Sequence, residues 1–180
     1  MAIGATLYHF KIALSDVERG VYETLDVRLA QHPSETLRYL VTRALAYALS
    51  YEDGIAFSKG GVSSTDEPPL SVHDATGSLL AWIEVGSPSP ERLHRASKAS
   101  RRVALFTTAD ISALREAALA GSIHRADAIE IWTLDDAFVE KLAERVERTT
   151  NLEVVHTGGS LYVTLGGEVL DGAVERSPLC

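Results

Sequence analysis

The chain has 180 residues, 46% of them hydrophobic, and carries 17 Lys and Arg against 25 Asp and Glu for a net charge of −8, so it is long enough for one domain with a sizeable core. That charge excludes broad non-specific nucleic-acid binding, which relies on clustered Lys and Arg, and leaves room only for a local contact. A single cysteine, the terminal Cys180, excludes an internal disulfide framework and a Cys-cluster zinc site, and with no apolar run of about 18 residues and no charged-then-apolar leader the expectation is a cytoplasmic protein without a membrane partner.

Residues 5–14 and 21–30 are rich in β-branched and aromatic side chains and are joined by SDVERG, which predicts an N-terminal β-hairpin. The period then changes. Leu37, Leu40, Val41, Ala44, Leu45, Ala48 and Leu49 recur at helical spacing and form one apolar stripe. Ser34 is the expected N-cap of this helix, with Glu35 complementing the positive end of its dipole.

Short strands are expected near 54–58, 69–74 and 79–85, the last two folded back on each other through Ala75-Thr76-Gly77-Ser78. Lys59-Gly60-Gly61 lacks the ending of a Walker phosphate loop and reads as a flexible loop, with Lys59 a candidate substrate contact. Ser89 caps a helix that Pro90 opens, because proline is pre-set for the first helical position. A strand at 103–107, a helix at 112–122, a strand at 128–134 and a helix at 135–146 follow, and the tail reads as a hairpin about Gly158-Gly159. The order predicts a single α/β domain over 1–180, with a mixed central sheet flanked by helices and β-hairpins at both ends.

The chemistry concentrates between Asp66 and Lys98. With the hairpin turn centred between Thr76 and Gly77, the residue facing Glu84 is near Pro69, so Asp66 and Glu67 lie a strand step or two from Glu84. Glu84 follows Leu80 and Trp82 at period two and points to their apolar face, where a carboxylate needs a cation or a hydrogen-bond partner. The helix beyond it carries Arg92, His94, Arg95 and Lys98, with Arg101 after it. Oxygen ligands for a hard cation beside a positive group are what metal-dependent phosphodiester chemistry requires, although solvated loop acids, a structural salt bridge and a solvated basic face account for the same residues. Trp82 and Trp132 lie inside apolar strands and read as core.

HPSET at 32–36, DEP at 66–68, WIEVG at 82–86 leading into the basic helix, VALFT at 103–107 and W-x-L-D-D at 132–136 together resemble the YaeQ family of bacterial proteins. The resemblance implies a fold related, in altered form, to the PD-(D/E)XK restriction-endonuclease-like nucleases, with the nuclease-like core at about 34–107. It implies no settled biochemical activity; the first expectation is a Mg²⁺- or Mn²⁺-dependent phosphodiesterase with Glu84 and Glu67 as metal ligands, Glu35 as a candidate third acid and Asp66 as the alternative to Glu67. His32 is a candidate for lining the same pocket, and Arg92, Arg95 and Lys98 are candidates for holding phosphate. The pattern departs from that superfamily two residues after the strand acid, where Gly86 stands in place of lysine. Arg95 and Lys98 are the candidates for replacing that charge, but arginine is a poor proton-transfer group, so phosphate binding is better supported than catalysis. A non-catalytic descendant that binds nucleic acid or protein is the alternative expectation.

Overall fold

In a computed structural model, residues 4–59 and 66–180 are described, and the Gly60-Gly61 loop falls outside them. The chain forms two compact units. The first takes the described residues up to Leu49 together with Leu134–Val174, and the second takes Ser50–Thr133 and Glu175–Cys180.

The first unit begins with strands β1 (Thr6–Asp16) and β2 (Val21–Gln31), the antiparallel hairpin the sequence predicts, in which Phe10 faces Val27 and Ile12 faces Leu25. Period-two alternation buries Phe10, Ile12, Leu14, Leu25, Val27 and Leu29 on one face. Helix α1 (Leu37–Leu49) packs its apolar stripe onto these strands and α4 (Asp136–Arg145) packs against α1, with Phe138, Val139 and Leu142 buried. Each such side chain removed from water contributes about 1.5–3 kcal/mol. Strand β8 (Thr149–Thr157) runs parallel to β1, and β9 (Ser160–Leu165) and β10 (Glu168–Pro178) complete the order β2-β1-β8-β9-β10.

Two expectations are corrected here. Helix α1 starts at Leu37, and its cap is Thr36, whose Oγ1 accepts from the Tyr39 amide at 3.1 Å. Ser34 instead contacts His32 Nδ1 at 2.7 Å, which takes it out of the capping position. The tail is a three-stranded meander and not a lone hairpin, because Gly166 and Gly167 repeat the paired left-handed turn made by Gly158 and Gly159.

In the second unit β3 (Ile55–Phe57), β4 (Leu70–His73) and β5 (Leu79–Val85) are antiparallel neighbours. From β5 the chain alternates through α2 (Pro90–Ala99), β6 (Arg102–Thr107), α3 (Ser112–Leu119) and β7 (Ile129–Leu134), with β5, β6 and β7 parallel. Parallel strands covered on both faces read as continuous apolar runs, and residues 81–85 and 103–107 are buried without a break. The mixed α/β class is as expected, and so is the element order from α1 through α4. Both tryptophans are core residues, Trp132 stacking on Phe106 with ring centroids 5.2 Å apart.

Candidate functional site

Glu84 is the one carboxylate within β5, and its side chain is only 3% exposed. The register that pairs Leu70 with Ile83 continues to Pro69 opposite Glu84, so the hairpin delivers the 66–67 segment to this end of the strand. A bulge opposite His73 turns Leu80 outward to 46% exposure, so Leu80 leaves the face that the sequence assigned it. Trp82 and Glu84 share a face, and Trp82 Nε1 donates to Glu84 Oε1 at 2.7 Å.

The cation on Glu84 is Arg92. Ser89 Oγ accepts from the Arg92 amide at 3.2 Å, and Pro90 opens the helix, so the cap fixes Arg92 in the first turn above the strand. Its Nε donates to Glu84 Oε1 at 2.6 Å, its Nη2 donates to the Glu67 carbonyl at 2.8 Å, and its guanidinium lies 5.8 Å from the Trp82 ring centre. One planar fork therefore ties strand, loop and helix together, a role that a lysine's single ammonium would not fill. Burial pushes the Glu84 carboxyl above its ordinary range; the Trp82 hydrogen bond and the charge of Arg92 oppose that rise without cancelling it, and the Arg95 charge adds a smaller opposing effect.

The remaining candidates are placed differently. Glu67 Oε2 accepts from Ser58 Oγ at 2.9 Å, and Asp66 is exposed, 3.8 Å from Arg95 Nη1. Lys98 lies exposed one turn further along α2, and Lys59 is exposed at the end of the described segment. Glu35 and His32 belong to the first unit. Arg43 Nε and Nη2 donate to Glu35 Oε1 at 2.9 and 2.6 Å, and the His32 amide donates to Oε2, so this buried carboxylate is already neutralised. His32 is a turn residue, its Nδ1 shared with the Ser34 hydroxyl and amide.

Among the described residues no group of three or more His, Cys, Asp or Glu is arranged to hold a metal ion, and the Glu84, Glu67 and Glu35 carboxylates are engaged by Arg92, Ser58 and Arg43. Gly86 has a physical explanation. Its φ of +91° lies in the left-handed region, where a lysine side chain would be strained, and its amide donates to the Phe106 carbonyl to close the strand end. The Arg92 fork was not legible as Glu84's partner, because eight positions separate the two across a strand end and a helix start. The one available signal was the Ser89-Pro90 cap, which fixes where Arg92 falls.

The family model described as YaeQ protein matches residues 1–173. The chain is 28% identical to the uncharacterized protein YaeQ of Salmonella typhi and 27% identical to that of Escherichia coli strain K12, over 91% of each chain in both cases. The crystal structure of the YaeQ protein from Xanthomonas axonopodis pv. citri superposes with a TM-score of 0.87 at 29% identity, over 97% of this chain and 98% of that one. The YaeQ protein from Pseudomonas syringae does so with 0.85 at 31% identity, over 96% and 95%. No helix among the described residues is long and apolar enough to cross a membrane.

Proposed function

The chain belongs to the YaeQ family, and from that premise we propose that it is a non-catalytic descendant of the restriction-endonuclease-like fold that binds nucleic acid through the basic face of α2. The observation that carries this reading is the closure of Glu84. Its Oε1 accepts from both Arg92 and Trp82, so a guanidinium is already seated on this carboxylate. Arg95, 57% exposed, and Lys98 continue the same helix outward as cations for phosphate.

Cleavage dependent on Mg²⁺ or Mn²⁺ is the second reading, favoured by the burial of Glu84, which raises its pKa as in an acid at a reactive centre.

The test follows fluorescein-labelled single- and double-stranded DNA and RNA by anisotropy and by gel, with and without millimolar Mn²⁺. Saturable binding of intact oligonucleotide, weakened in the Arg95→Ala/Lys98→Ala variant, is the expected result. Cleavage that disappears in Glu84→Gln establishes the second reading instead, and absence of binding to any of the four removes both.

A further inference from the structure

We propose that the phosphate-holding surface extends beyond α2 onto the connection between α3 and β7, where His124 and Arg125 join His94, Lys98 and Arg101 in one basic patch that tracks a nucleic-acid backbone. This inference rests on the reading above and says where the strand lies. The two segments are 23 or more positions apart in sequence, and two hydrogen bonds bring them together. The His124 amide donates to His94 Nδ1 at 3.2 Å, with the two rings edge to face at 6.3 Å. Arg125 Nη2 donates to the Arg101 carbonyl at 2.6 Å, which sets a second guanidinium beside the end of α2.

Arg125 is also the one non-glycine residue among those described with a positive φ, +47°. A side chain is held in that conformation at a cost of order 1–3 kcal/mol, and such outliers persist where the surroundings over-determine them. Here the strained backbone aims Arg125 back at Arg101. A 3-10 turn, Ala126–Ala128, begins immediately after it, and buried Ile123 and Ala126 anchor the segment to the core on either side.

The charge balance favours a polyanion. Lys98, Arg101, His124 and Arg125 are exposed, and no described carboxylate pairs with Lys98, Arg101 or Arg125. The acids nearby are the exposed Glu91 in the first turn of α2, Asp66, which lies 3.8 Å from Arg95, and Asp127, which lines a depression of about 310 Å³ with Glu130 and Arg176. On a chain of net charge −8, a local cluster of cations is the electrostatic footprint of a phosphate contact.

The test titrates labelled single-stranded and duplex DNA and RNA into wild type, into Arg101→Ala/Arg125→Gly, and into Arg95→Ala/Lys98→Ala, across a salt series. Glycine at 125 keeps the left-handed backbone while deleting the guanidinium, and near-ultraviolet circular dichroism checks that the fold is retained. The expected result is a loss of affinity on the order of tenfold in the first variant. The slope of log K against log salt should also become shallower by about 0.7 for each phosphate contact removed on a single strand. Unchanged affinity and slope in Arg101→Ala/Arg125→Gly, with loss confined to Arg95→Ala/Lys98→Ala, overturns the extended patch while leaving nucleic-acid binding in place. Absence of oligonucleotide binding by wild type overturns both. Tighter binding of a labelled polyglutamate peptide than of any oligonucleotide assigns the surface to an acidic protein and likewise overturns the inference.

Discussion

At Glu84 a buried carboxylate meets a guanidinium at 2.6 Å, yet burial still outweighs that partner in setting its acidity. The folded pKa is therefore above the unfolded value of about 4.5. The native state binds more protons than the unfolded chain between those two values, so this group's contribution to stability is fully present below the unfolded pKa and is lost as pH rises through the folded one. Thermal unfolding of wild type from acid to neutral pH should show that decline, and Glu84→Gln, which cannot ionise, should flatten it. A decline of equal size in Glu84→Gln would assign it to other groups. Arg92→Met removes the cation and leaves the acid buried, which costs on the order of 3 kcal/mol for a charge stripped of its partner. The same substitution made in Glu84→Gln should cost clearly less, and denaturant unfolding of the four proteins measures that coupling.

The elements show which parts of the structure could be read from the sequence. Period-two and helical periodicities are local, so β1, β2, α1, β5 and the Ser89-Pro90 cap were legible, apart from the cap of α1 and the face of Leu80 at the bulge. The register that sets Pro69 opposite Glu84 was legible too, because a short hairpin fixes its own pairing. What escaped depends on contacts between distant segments. Strand β10 was missed although Gly166-Gly167 repeats the signal of Gly158-Gly159, and its pattern is blurred where Gly172 packs on Phe138. A Cβ added at Gly172 would meet the Phe138 side chain at 2.5 Å, so Gly172→Ala should lower stability by about 1–3 kcal/mol through overpacking, as read by denaturant unfolding. The Glu35–Arg43 pair was obscured by the alternative explanation of dipole compensation, and the buried His156–Asp16 pair, 140 residues apart, left no signal at all. The turn after β5 supplies a further prediction. Placing a lysine there with Gly86→Lys should destabilise the protein by about 1–3 kcal/mol, because φ is +91°, and should confer no cleavage.

Taken whole, the molecule carries a net charge of −8 and exposes Arg95, Lys98, Arg101 and Arg125 on α2 and on the segments beside it. Long-range repulsion of a polyanion therefore competes with local attraction, and binding should be weak near physiological salt and strengthen as salt falls. The central claim is that Glu84, closed by Arg92, leaves a protein that holds nucleic acid without cutting it. The most direct test is an anisotropy titration of a labelled single-stranded oligonucleotide in millimolar Mn²⁺, with the same samples run on a denaturing gel. Saturable binding, relieved by salt, with the oligonucleotide intact throughout is the predicted result. Cleavage by wild type that Glu84→Gln abolishes, or no binding at any salt concentration, would contradict it.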